Sequence, residues 1–185
     1  MPVARSVALI SMLRGVNLGP HKRIRMDSLR ALYESLNLEK PQTYVQSGNV
    51  IFKTVERDLG KIARRLEEAI EESFGFHSDV ILRTVTELKT VVERNPFAGR
   101  EIEPSKLLVT FLTAEPAPEA REKMLAIDAA PEELHIVGRE VYIYFPNGMA
   151  RPKLPWTSIE KMLKTRGTGR NWNTVTKLLE LAERL

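Results

Sequence analysis

Residues 14–26, RGVNLGPHKRIRM, hold four Lys or Arg side chains, one His, two Gly and no acid. Glycine permits backbone conformations closed to other residues, and asparagine tolerates them while bonding its own loop. Such a loop, placed before a helix, gathers backbone N–H groups, the positive helix end and cationic side chains. The chemistry it predicts is capture of an anion, with Arg14, Gly15, Asn17, Gly19, Lys22 and Arg23 as candidate contacts. It is not a P-loop, because no G-K-[ST] ending is present.

A second stretch, RGTGRNWNTVTK over residues 166–177, brackets Thr168 with Gly167 and Gly169 and sets Arg170 before an apolar helical pattern. Asn171 is a suitable N-cap, since its side chain can accept from an orphan N–H. The third glycine of a dinucleotide fingerprint is missing, which excludes a Rossmann reading. What is expected is a second glycine loop, with Arg170 as an anion clamp and Asn171 and Asn173 as orienting groups. The third candidate is QSGN, where Gln46, Ser47 and Asn49 would supply polar recognition at a turn. Ser47 lacks the G-x-S-x-G setting of a nucleophile.

Histidines 21, 77 and 135 are scattered without H-x-x-x-H spacing, and there is no cysteine. The expectation is no metal site, no cofactor and no thiol chemistry. Only His21 stands near a candidate site, so no general base is assigned. Tyr142 and Tyr144 share one strand face and could stack bases, although a core role is the commoner use of such a pair.

The elements that must position these residues follow from hydrophobic periodicity. VALISML (7–13) is a continuous apolar run suited to a central strand, and MDSLRALYESLN is an amphipathic helix. TYVQSGNVIFK is expected to be a hairpin turning at Gly48-Asn49. A helix over DLGKIARRLEEAIEESFG and a strand over DVILRTV complete the order βαββαβ. After the helix TELKTVVERN, the second half echoes the first: KLLVTFL, PEAREKMLAI, then the hairpin ELHIVG–EVYIYF around Gly138-Arg139. The helices SIEKMLKT and NTVTKLLELAERL follow, with RGTGRNW between them. The fold class expected is α+β: two ferredoxin-like (βαββαβ-type) halves with antiparallel sheets, plus C-terminal helices. The halves are placed at residues 1–94 and 105–185, with 95–104 as linker.

The chain of 185 residues is 43% hydrophobic and 28% charged, a balance that allows a packed core. No apolar run approaches the roughly 20 residues of a membrane-spanning helix, and the short run after Arg5 reads as a strand rather than a signal segment. Lack of cysteine fits a cytoplasmic setting. The net charge of +4 is unevenly spread: residues 14–25 and 151–177 together carry +10, leaving −6 elsewhere. A localised positive surface attracts anionic partners.

The stretches SMLRGVNLG, TYVQSGNVIF and TGRNWNTVTKLLELA, in this order, closely resemble the bacterial family called domain of unknown function 1697. The resemblance spans nearly the whole chain. It implies ferredoxin-like halves, a cytoplasmic protein and no established activity, and it supplies no catalytic residue. The positions matching its motifs are Arg14, Gly15, Asn17, Gly19, Gln46, Ser47, Gly48, Asn49, Arg170, Asn171, Trp172 and Asn173.

The function expected is binding of a phosphate-bearing ligand, either a nucleotide-like metabolite or a nucleic-acid backbone. Two alternatives stand beside it. One is an enzyme acting on a phosphorylated small molecule; the other is an interaction module whose basic face meets an acidic protein.

Overall fold

The computed structural model describes residues 5–185; residues 1–4, the start of the expected first half, lie outside the described residues. The chain divides into two units, one running through Lys89 and including Lys177–Leu185, the other Thr90–Thr176.

The first unit contains β1 (Val7–Leu13), α1 (Met26–Ser35), β2 (Glu39–Tyr44), β3 (Asn49–Thr54), α2 (Leu59–Phe74) and β4 (Val80–Thr84). Its four-stranded sheet has the order β2-β3-β1-β4. The strands adjoining β1 both run antiparallel to it, with Ile10 opposite Ile51 on one side and Arg83 on the other. This is the ferredoxin-like arrangement expected from the βαββαβ order. Residues 9–13 of β1 are all buried, which explains why this strand reads as an unbroken apolar run rather than an alternating one. Leu9 and Leu13 pack with Leu29 and Tyr33 of α1 and Leu66 and Ile70 of α2. Helix α2 has both ends defined: Asp58 accepts from the Lys61 N–H at 3.0 Å, and Gly75 takes the left-handed conformation at φ 77°.

Between Leu9 and Leu13 the same strand face carries Ser11, whose hydroxyl lies 2.6 Å from the Tyr33 hydroxyl. Both residues are fully buried, and burial pushes the Tyr33 phenol up, so it stays protonated and able to donate. Tyr33→Phe is expected to cost about 1–2 kcal/mol, because Ser11 loses its partner inside the core. Urea unfolding measures this, and an unchanged midpoint would show that the pair contributes nothing net.

Helix α3 (Val85–Glu93) leads onward from β4, and a 3-10 turn (Pro104–Lys106) precedes the second set of elements. These are β5 (Leu107–Leu112), α4 (Pro118–Leu125), β6 (Glu133–Val137), β7 (Glu140–Tyr144), α5 (Trp156–Leu163), β8 (Gly167–Asn171) and α6 (Trp172–Arg184). The sheet order is β6-β7-β5-β8, the same topology as the first. Phe97, within the expected linker, is buried and packs edge-on to His135 at 5.2 Å and against Tyr144 at 5.9 Å. Tyr142 is buried and donates to the Val91 carbonyl at 2.7 Å, so it is a core residue rather than a stacking surface.

The duplication extends to one unusual residue. Arg83 and Arg170 each occupy the fourth position of the fourth strand and each is buried. Each donates from Nη1 to the preceding residue's carbonyl, Leu82 at 2.9 Å and Gly169 at 2.8 Å.

Two local expectations are corrected. Tyr44 pairs directly with Asn49, so the first hairpin turns through residues 45–48, and Asn49 is the first residue of β3. Positive φ falls at Val45 (52°) and Gly48 (80°). The stretch RGTGRNW, expected to be a loop, contains β8, paired with β5. Its glycines serve packing: a Cβ at Gly167 would stand 2.8 Å from the Phe111 carbonyl oxygen, and one at Gly169 3.2 Å from Leu108.

Candidate functional site

Pairing of β1 with β4 brings residues 14 and 77–79 together, and pairing of β1 with β3 brings in the hairpin loop. Leu13 N–H donates to the Gly48 carbonyl at 3.0 Å and Arg14 N–H to the Asp79 carbonyl at 2.9 Å. Ser78 Oγ donates to the Arg14 carbonyl at 2.9 Å. The Arg14 guanidinium lies 3.9 Å from the nearly buried Asp79 carboxylate. Arg14, expected as an anion contact, thus has its charge partly offset within the fold.

Asn17 organises the loop that follows. It takes φ 56°, as its residue type allows, and its N–H donates to the Lys22 carbonyl at 3.0 Å. Its side-chain Nδ2 donates to the Ile24 carbonyl at 3.0 Å and the Gln46 carbonyl at 2.6 Å, while Oδ1 accepts from the Ile24 N–H at 3.0 Å. One side chain therefore closes residues 17–24 on themselves and fastens them to the hairpin loop. Asn49, fully buried, likewise spends its amide inside the turn, donating to the Tyr44 carbonyl and to Ser47 Oγ. Both asparagines shape the site rather than reach out of it.

What the loop presents outward is Leu18, which is 83% exposed, together with exposed His21, Lys22, Arg23 and Arg25. Lys22 Nζ donates to the His77 carbonyl at 3.2 Å and lies 6.0 Å from the Phe76 ring centre. Arg23 Nε donates to the Gly19 carbonyl at 3.1 Å. Arg25 pairs with Asp27 at 2.7 Å on an open surface, where such a pair holds little energy. Glu71 and Asp79 flank His77, at 3.7 and 3.3 Å. Only His21 is expected from the sequence to stand near this site, and that is corrected: His77, with Ser78 and Asp79, lies far from Arg14 along the chain, and strand pairing places all three beside it.

In the second unit, Arg170 donates to Thr168 Oγ1 at 2.6 Å, is 6% exposed, and burial pulls its pKa down to about 10. Asn171 caps α6, accepting from the Thr174 N–H at 3.0 Å, and Asn173 is exposed on the first turn. The residues expected to form two glycine loops therefore fall in separate units, with Arg14, Asn17, Gln46, Ser47 and Asn49 grouped in the first. Among the described residues, no group of three or more His, Asp or Glu is placed to hold a metal ion.

Comparison with known proteins bears out the family resemblance over the stretch that holds the first two motifs. Residues 7–142 match the family described as "Protein of unknown function (DUF1697)". The chain belongs to this family. Among solved structures, the family member is similar to the conserved bacterial protein SP0830 from Streptococcus pneumoniae, with a TM-score of 0.73 and 18% identity. That likeness covers 96% of this chain and 99% of the other, and it concerns the fold. No curated protein matches the chain. No helix among the described residues is long and apolar enough to cross a membrane.

Proposed function

We propose that the loop of residues 18–25 binds the phosphate backbone of a nucleic acid. The supporting observation is the division of labour within the loop: Asn17 fixes its shape by three side-chain hydrogen bonds, while Lys22 and Arg23 stand exposed beside Leu18. A held loop presents its cations with less ordering cost than a mobile one. Its outward, open placement suits an extended polyanion that contacts the surface through its backbone. Arg14, offset by Asp79, and Asn49, spent on the turn, act in this reading as positioning groups. The same reading takes the chain as cytoplasmic, in keeping with a sequence that has no cysteine.

Fluorescence anisotropy with a labelled single-stranded oligonucleotide of mixed sequence tests this. Contact with two or three phosphates predicts a log–log salt slope of about −1.4 to −2. The double variant Lys22→Glu/Arg23→Glu is expected to weaken binding at least about tenfold, and a mononucleotide should compete poorly. Binding absent at low salt, or indifferent to the double variant, would refute the proposal. Efficient competition by the mononucleotide would instead favour a small phosphorylated ligand.

A further inference from the structure

A concavity of about 560 Å³ lies within the second unit, lined by Thr113, Thr157, Lys161, Lys164, Thr165 and Arg166 together with Ala114 and Glu160. Thr157, Glu160, Lys161 and Lys164 recur at helical spacing along α5 and its C-cap, so they share one face. The remaining lining residues leave β5 or enter β8. The floor is tied together: the Thr113 N–H donates to the Arg166 carbonyl at 2.8 Å, and the Thr113 and Thr165 hydroxyls lie 3.1 Å apart. Glu160 Oε1 accepts from the Gly167 N–H at 3.0 Å, which fastens the lining acid to the start of β8. Three cations against that carboxylate leave a local charge of +2.

We infer that this concavity binds the phosphate group of a compact phosphate monoester of the sugar-phosphate type. A phosphate monoester carries about −1.5 to −2 charges at neutral pH and three acceptor oxygens. That charge matches the lining, and the threonine hydroxyls, ammonium groups and guanidinium are all donors to such oxygens. A carboxylate would neutralise half of the surplus. The lining has one apolar member, Ala114, and no aromatic ring, so it offers a nucleobase no aromatic face and suits a hydroxylated ligand body. The site shares no lining residue with the loop of residues 18–25 and does not depend on its role.

The test is an NMR titration of the whole chain with inorganic phosphate, ribose 5-phosphate and ribose. Saturable shifts are expected at the amides of Thr113, Ala114, Thr165 and Arg166, tighter for ribose 5-phosphate than for phosphate and absent for ribose. Lys161→Gln/Lys164→Gln should weaken binding at least about tenfold through loss of two charge-assisted contacts. Affinity should fall as pH drops below about 6, where the phosphate regains its second proton. Lys22→Glu/Arg23→Glu should leave this titration unchanged, which separates its failure from failure of the nucleic-acid reading. Shifts scattered over unrelated basic surface, or undiminished in the Lys161/Lys164 variant, would overturn the inference.

Discussion

Gly48→Ala is expected to lower the unfolding free energy by about 2–4 kcal/mol, combining left-handed strain with overpacking. At φ 80° the added methyl group starts in a conformation that side chains resist. It would also stand 2.7 Å from Val16 Cγ2 and 2.8 Å from Leu13 Cβ, two buried neighbours with little room to retreat. Because the Gly48 carbonyl accepts from Leu13 N–H, any backbone retreat also disturbs the end of β1. Gly15→Ala is the control. Gly15 has a similar φ of 71°, but a Cβ there meets nothing within 4 Å, so only strain of about 1 kcal/mol remains. Guanidinium unfolding of both variants isolates the steric part; equal losses would show that the close approach to Val16 and Leu13 is harmless. Displacement of the hairpin loop should also loosen Asn17, since Gln46 is one of its anchors, and weaken oligonucleotide binding.

Leu178→Ala is expected to cost about 2–5 kcal/mol, the range for removing a large side chain from a tight interior. Leu178 has no solvent exposure and lies in the part of α6 that groups with the first unit. Hydrogen exchange read alongside denaturation makes the prediction specific: amides of β1, β3 and β4 should lose protection. Full protection there, with a lowered midpoint, would contradict the assignment of this helical segment to the first unit.

The fold was largely legible in the sequence because its signals were local and consistent. The apolar run of β1, the stripe of α2 bounded by Asp58 and Gly75, and the Gly138-Arg139 hairpin need no knowledge of distant residues. The misreadings have tertiary causes. Val45 adopts positive φ, which a β-branched residue resists, so the turn was expected three residues later, at Gly48-Asn49. Gly167 and Gly169 look like loop residues, yet both lie in β8, and at Gly167 the β5 backbone stands too close to admit a larger side chain. The duplicated topology was the available clue, since a second βαββαβ set requires a fourth strand after α5. At the site, residue type indicated that Asn17 could bond its own loop, but not that the bonds would engage both ends of the amide. Arg170 read as a clamp because its strand and its burial were both invisible in composition.

The membership of Lys177–Leu185 in the first unit bears on how the protein is born. A ribosome delivers these residues only after residues 90–176, a delay on the order of ten seconds at ordinary elongation speeds. Until then the first unit lacks Leu178 and Ala182, both buried in the finished protein. The first unit is therefore expected to complete its interior only after the second has been synthesised.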